Sequence, residues 1–191
     1  MVRHRSHAGF SLVELLVGMF IVVALYAMVL GPSREYVRRQ KLQRCAENLR
    51  KLHMVLTLYA NEHDGAFPAD ASARSSDDAL AALVPRYTSD RSFFACPATG
   101  HAGDTQPDFA YVSGRRKDGA TALLASDAQV NAEPKLRGMK VFAEADGARG
   151  GNHGKAGGNL LFTDGHVETI GTEAPRDISP PPGARLLNPA R

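Results

Sequence analysis

The stretch that decides the fold lies near the N-terminus and reads Gly9-Phe10-Ser11-Leu12-Val13-Glu14-Leu15-Leu16-Val17. The apolar run that begins at Phe10 continues to Leu30, and Glu14 is its only charged residue. At 1.5 Å rise per residue, a helix of this length is about 30 Å long, close to the hydrocarbon thickness of a bilayer. A short basic leader precedes the run. The sequence therefore predicts a membrane-spanning helix with a cytoplasmic N-terminus and an external C-terminal portion.

Glu14 is a candidate functional residue, because a carboxylate within a membrane segment costs free energy and is rarely placed there without a role. The alternative is a simple signal anchor in which this glutamate is incidental. An ordinary secretory signal does not fit either pattern, since its cleavage site follows the apolar region and removes it.

The Gly9–Val17 stretch resembles the processing site of type IV prepilins and of the pseudopilins of type II secretion systems. The resemblance implies that a membrane peptidase cuts between Gly9 and Phe10 and methylates the amine of Phe10. The apolar helix would then stay on the mature protein. Glu14 could neutralise the Phe10 amine of an adjacent subunit, because a buried ion pair costs less than two separate buried charges. This pairing would favour the addition of each subunit in one axial register.

Length and composition predict one stem and one small domain in this chain of 191 residues. The expected parts are a cytoplasmic leader that is removed (1–9), a transmembrane and assembly helix (10–30), an amphipathic stem helix (31–65), a soluble α+β domain (66–172) and a proline-rich tail (173–191). The formal net charge is +3, and the basic excess lies on the stem. Such a face suits anionic lipid headgroups or plain solvation. No specific nucleic acid is predicted as a partner.

The stem predicts a single helix with a narrow apolar stripe. Its apolar residues recur at three- and four-residue steps, at Leu42, Cys45, Ala46, Leu49, Leu52, Leu56, Tyr59 and Ala60. Pro32 predicts a kink near the start of the stem. Gly65 predicts the helix end, with Pro68 just beyond it.

A second resemblance covers the outer stem and the domain. The segment from Cys45 to Pro68 is similar to the stem-to-domain junction of major pseudopilins. It is also similar to prepilin-like proteins that carry Cys-Pro and a C-terminal histidine followed by Asp-Gly. Here these elements are Cys96-Pro97, His153 and Asp164-Gly165-His166. The spacing from His153 to Asp164 is one residue longer than is usual in that group.

The domain is expected to be a pilin-like α+β fold, in which a long N-terminal membrane helix packs on a small antiparallel sheet. A short helix is predicted over Asp77 to Val84. The predicted strands are Ala110 to Val112, Thr121 to Ser126, Lys140 to Glu144, Asn159 to Thr163 and His166 to Ile170. Asp164-Gly165 predicts a hairpin turn with positive φ at both positions. The glycine-rich segment from Gly147 to Gly158 predicts a mobile loop, and the prolines after Glu173 predict a disordered or extended tail.

The two cysteines lie outside the cytoplasm in this topology, where a disulfide can persist. A Cys45–Cys96 bond would close a loop of about 50 residues and stabilise the domain by about 4 kcal/mol in the chain-entropy model. The alternative is that Cys45 is a small buried helix residue and Cys96 an unrelated thiol. The sequence leaves both possibilities open.

Metal-binding residues are only weakly indicated. The side chains that can ligate a metal are Asp127, Asp146, Asn152, His153, Asp164 and His166. The resemblance to major pseudopilins, which bind calcium through a loop near the end of the domain, implies a calcium site for which Asp146, Asn152 and Asp164 are the oxygen-bearing candidates. No other cofactor is expected. No serine-histidine-acid or cysteine-histidine set stands out, so the sequence does not predict an enzyme.

Two functional classes remain open. The resemblance implies a structural subunit of a type II secretion pseudopilus or a related filament, polymerising with itself and other pseudopilins. Its further partners would be the prepilin peptidase, an inner-membrane assembly platform and membrane lipid, and its location the bacterial inner membrane. The second class is a membrane-anchored extracytoplasmic binding module, and a DNA-uptake pseudopilin is an alternative within the first class.

Overall fold

The computed structural model describes residues 11–30, 33–99, 107–145 and 147–190. The chain divides into two compact units, Met1–Val37 and Arg38–Arg191. The first unit contains helix α1 (Leu12–Leu30), and helix α2 (Ser33–Glu62) begins in the first unit and continues into the second. The kink predicted at Pro32 lies outside the described residues.

Helix α2 buries the apolar stripe that the sequence predicts, except for Tyr59, which is only partly buried. Its buried residues are Leu42, Cys45, Ala46, Leu49, Leu52, Val55, Leu56 and Ala60. The helix ends at Glu62, and the amide of Gly65 donates to the carbonyl of Ala60 over 2.8 Å. This bond satisfies a carbonyl of the last turn and confirms the predicted end.

The sheet of the second unit has five strands in the order β4-β3-β2-β1-β5, with antiparallel neighbours throughout. The strands are β1 (Phe109–Ser113), β2 (Leu123–Asp127), β3 (Gly158–Phe162), β4 (Val167–Ile170) and β5 (Arg185–Leu187). Four of them match predicted strands to within a few residues. The predicted α+β class is confirmed.

Each face of the sheet carries its own apolar cluster. On one face, Leu161 packs in a cluster with Leu49, Leu52 and Leu56 of α2. On the other, strand residues such as Leu160 pack in a cluster with loop residues such as Phe142. Because successive strand residues point to opposite faces, both clusters can form along the same strand.

The strand predicted over Lys140 to Glu144 is wrong. Only an isolated bridge forms there, between Lys140 and Glu173. Val141 and Phe142 are both buried, although they are consecutive, and both of their amides donate to the carbonyl of Thr172. In a regular strand, successive side chains point to opposite faces and successive amides do not share one carbonyl acceptor. The segment is therefore a loop whose apolar side chains pack in the core.

The prediction of a disordered or extended tail after Glu173 that lies apart from the core is also wrong, and with it the domain boundary at residue 172. Strand β5 pairs with β1, Leu186 opposite Val112 and Leu187 opposite Tyr111. Ile178 is buried with the second apolar cluster. The prolines here lie around an edge strand, a position that tolerates them.

The short helix predicted over Asp77 to Val84 is divided in two. Helix α3 (Ser76–Leu80) is followed by a 3₁₀ turn, Ala81–Leu83. Ser75 is the N-cap, and Asp78 completes a capping box with it. This reciprocal pair of hydrogen bonds fixes the start of the helix.

Candidate functional site

The N-terminal candidate site begins with the first turn of α1. Glu14 lies in this turn, and its amide donates to the carbonyl of Ser11 over 3.0 Å. The predicted processing residues, Gly9 and Phe10, lie outside the described residues. The segment Leu12–Val29 has a mean hydropathy of 2.5, so its length and composition would suffice to cross a bilayer.

Side chains along α1 are exposed within its own unit. Its large apolar residues, such as Leu12, Phe20 and Met28, are at least half exposed. A helix that is apolar on all sides is stable in lipid or against other helices rather than in water. This surface, with one carboxylate in the first turn, is therefore suited to a membrane or to contact with other apolar helices.

The C-terminal signature forms the tip of the β3–β4 hairpin. The amide of Gly165 donates to the carbonyl of Phe162 over 2.9 Å, and the amide of Phe162 donates to the carbonyl of His166 over 3.0 Å. Gly165 has φ +89°, whereas Asp64 is the only non-glycine residue in the described part with positive φ. The tip is therefore a three-residue loop closed by a glycine bulge, and the prediction of positive φ at Asp164 is wrong.

Asp164 and His166 are each other's partners at this tip. The Oδ1 atom of Asp164 accepts from the amide of His166 over 3.1 Å and lies 2.7 Å from its Nδ1. The pKa of the Asp164 carboxyl is below its ordinary value, because these bonds outweigh the opposing effect of desolvation. The His166 ring stacks on Phe162. Both residues are exposed, which fits a role in turn geometry.

A second group of possible metal ligands lies in the interior of the domain, and two of its residues were candidates from the sequence. Asp127, the last residue of β2, and His153 are buried, and His153 Nε2 lies 3.5 Å from Asp127 Oδ2. The same Nε2 atom lies 3.5 Å from the Sγ atom of Cys96. Cys96 is bonded to Cys45, with Cα atoms 5.5 Å apart. Of the candidate metal ligands, His153 therefore lies beside Asp127 in the interior, whereas Asp164 and His166 pair at the exposed hairpin tip, so these four residues do not form one site.

Asn159 on β3 holds Asp127 in place, and sequence reasoning missed it. Its amide and its Nδ2 atom donate to Asp127 Oδ2 over 2.8 and 3.0 Å. Nδ2 also donates to the carbonyl of Leu42, and Oδ1 accepts from Thr169 over 2.7 Å. A polar residue within an otherwise apolar strand was the available signal. Asn159 thereby ties the sheet to α2.

The glycine-rich segment is packed rather than open. A Cβ atom on Gly157, which has φ +82°, would lie 2.0 Å from the carbonyl oxygen of Ile170. The glycine is therefore required by close backbone approach, and the interpretation of the segment as a mobile loop is revised.

Gly147 to Asn152 border a cavity of about 280 Å³ that Gln129 and Asn188 also line. Asn152 donates to the carbonyl of Asp108 over 3.3 Å, and Asp146 lies outside the described residues.

Comparison with known proteins identifies the N-terminal segment. Residues 4–30 match the family model described as "Prokaryotic N-terminal methylation motif". No curated protein and no solved structure matches the chain. The motif, the apolar helix α1 and the α+β domain support the class of type IV pilin-like proteins.

Proposed function

We propose that this chain is a structural subunit of a type II secretion pseudopilus or a related type IV pilus-like filament, assembled through its N-terminal helix. The observation that carries the proposal is the exposed apolar surface of α1. This helix lies within the segment that matches the methylation motif, residues 4–30, and Glu14 is in its first turn. Such a helix is held by lipid before assembly and by neighbouring helices afterwards. The same helix therefore serves as anchor and as polymerisation element.

The proposed partners follow from this role. They are further copies of the chain and other pseudopilins, the prepilin peptidase, an inner-membrane assembly platform and membrane lipid. The proposed location is the bacterial inner membrane, single-pass, with the domain outside the cytoplasm. Neither catalysis nor a cofactor is needed for polymerisation, so we propose no enzymatic activity. Calcium binding by Asp146, Asn152 and Asp164 is a separate proposal.

Processing is the experiment that tests the first step. The protein is extracted from membranes of cells that contain a prepilin peptidase, and its N-terminus is read by mass spectrometry. We expect N-methylated Phe10 as the first residue. Gly9→Val should block the cut because a branched side chain replaces the hydrogen of glycine, while Gly18→Val serves as a control within α1. An intact Met1 terminus in the parent would contradict the proposal.

A second candidate function is a membrane-anchored binding module. The observation that favours it is the cavity of about 280 Å³ beside Gly147 to Asn152, which has polar and backbone groups in its wall. A binding module has to be anchored in the membrane, but it does not have to polymerise. A module would therefore keep its function when the assembly residue Glu14 is replaced, whereas a filament subunit would lose it.

A further inference from the structure

Four buried side chains from distant parts of the chain converge on one point. Cys45 comes from α2, Cys96 follows the 3₁₀ turn Ser92–Phe94, Asp127 ends β2, and His153 precedes the 3₁₀ turn Gly154–Ala156. Each is at most 2% exposed. One ligand atom from each residue lies within 4.8 Å of the other three. Within the described residues, this group brings together two sulfurs, an imidazole and a carboxylate in the interior of the domain.

The distances within the group match those between ligands of a tetrahedral metal ion. Around Zn²⁺, with Zn–S about 2.3 Å and Zn–N about 2.0 Å, a sulfur and a nitrogen ligand lie about 3.5 Å apart. His153 Nε2 lies 3.5 Å from Cys96 Sγ and 3.5 Å from Asp127 Oδ2. Both contacts are made by the same ring nitrogen. A proton relay would require the two nitrogens to serve different partners, so the arrangement fits a ligand set better than a catalytic triad.

The hydrogen bonding of the group leaves acceptor capacity for a cation. Asp127 Oδ2 accepts two bonds from Asn159, whereas Asp127 Oδ1 is buried and has no hydrogen-bond partner in the described structure. A buried carboxylate with one oxygen unpartnered is unfavourable, and a cation bound by the same carboxylate would offset that penalty. Asn159 in turn orients the carboxylate, as the neighbours of metal ligands commonly do.

We infer that the dithiol form of this chain binds one Zn²⁺ ion through Cys45, Cys96, His153 and Asp127. Two thiolates, one imidazole and one carboxylate are zinc ligands, and they do not suit calcium, which takes six to eight oxygens. In the zinc form the two sulfurs lie about 3.8 Å apart, the separation set by tetrahedral geometry. The disulfide and the zinc thiolate are therefore alternative states of the same two cysteines.

The exchange between these states is balanced in atoms and electrons. A disulfide oxidant takes two electrons from the two thiolates, the Cys45–Cys96 bond forms, and Zn²⁺ leaves. The oxidant's own S–S bond breaks, and its sulfurs take up two protons to become thiols. In the reverse direction a reductant opens the disulfide, and Zn²⁺ replaces the two thiol protons. The inference is independent of the proposed filament role.

The test uses the full-length protein in detergent. A water-soluble phosphine reduces the disulfide to two thiols and is itself oxidised to the phosphine oxide, with oxygen from water. After removal of the phosphine, ZnCl₂ is added, excess metal is removed, and bound zinc is measured by atomic spectrometry. We expect about one zinc per reduced chain and no bound zinc on the oxidised chain. Binding of Co²⁺ should give the visible absorption typical of tetrahedral thiolate ligation.

Two matched variants separate this site from adventitious binding. His153→Gln removes the buried imidazole and should weaken zinc binding at least tenfold, while His166→Gln removes the exposed imidazole and should leave binding within twofold of the parent. The oxidised forms serve as fold controls, since the disulfide does not require His153. Should reduction unfold the chain, recovery of its circular dichroism on addition of ZnCl₂ supports the inference. Failure to recover, zinc-free reduced protein, or equal binding by both variants overturns it.

Discussion

At the scale of single residues, Gly165 and Asp164 stabilise the hairpin tip in different ways, one through its backbone conformation and the other through side-chain hydrogen bonds. Gly165 adopts the left-handed conformation that closes the loop, and a Cβ atom there would lie 2.8 Å from Cε1 of His53. Asp164 accepts from the amide and ring of His166. His53 Nε2 donates to the carbonyl of Thr163 over 3.1 Å, which connects the tip to α2. Backbone geometry and side-chain bonding therefore explain the Asp-Gly pair without a ligand.

Replacing Gly165 with valine should destabilise the domain by about 1 to 3 kcal/mol, because a β-branched residue is forced to positive φ and against His53. Asp164→Asn keeps a side-chain acceptor and should change the free energy of unfolding by less than about 0.5 kcal/mol. Denaturant titration of both variants measures these effects. A large loss in Asp164→Asn, together with a chelator-induced fall in the parent's melting temperature, would instead place a metal at the tip.

The capping box of α3 predicts a pH dependence. The pKa of the Asp78 carboxyl is lowered, first by the backbone N–H of Arg74 and then by hydrogen bonds to Ser75. Because the folded-state pKa is below the unfolded value of about 3.9, this contribution is present above that pH and disappears as the pH falls through the folded value.

Asp78→Ala should therefore lower the melting temperature at neutral pH, and the difference from the parent should shrink as the solution is acidified below about pH 4. Thermal unfolding followed by circular dichroism at several pH values measures this convergence. Glu47→Ala removes an exposed carboxylate from α2 and is the matched control. A constant difference between Asp78→Ala and the parent at all pH values would show that the carboxyl charge is not involved.

At the scale of elements, local sequence signals predicted what local forces determine. The apolar period of α2, its end before Gly65 and four strands follow from residue spacing and turn residues, which act over a few positions. Strand β5 could not be predicted this way, because Leu186 and Leu187 become strand residues only by pairing with β1. The meeting of His153 with Cys96 is equally non-local, since 57 positions separate them. Such contacts depend on topology that no short pattern encodes.

Strand β5 contributes to the core of the domain, although it follows a proline-rich segment. Leu187 is 4% exposed and lies opposite Tyr111. Leu187→Ala should lower the free energy of unfolding by about 2 to 4 kcal/mol, because it removes buried methyl groups and leaves a cavity. Pro181→Ala, at an exposed position, is the control and should change little. Denaturant titration distinguishes this outcome from an unstructured tail, in which both substitutions would be silent.

At the scale of the whole molecule, the two units suit different surroundings. The first presents an apolar helix with exposed side chains, and the second has its own buried core on both faces of a sheet. A chain with this division can be held in a membrane by one unit while the other folds in water. The central claim is that the first unit also joins subunits, through the pairing of Glu14 with the methylated amine of Phe10 in a neighbour.

Filament assembly of Glu14→Leu tests this claim most directly. The chain is produced with a prepilin peptidase and an assembly platform, filaments are sheared from the cells, and subunits in the sheared fraction are quantified by immunoblotting. Glu14→Leu should be cleaved and inserted like the parent, yet its content in filaments should fall at least tenfold because the Phe10 amine loses its partner. Glu47→Leu, which removes a carboxylate from α2, should assemble like the parent. Assembly of Glu14→Leu at the parent's level would contradict the claim.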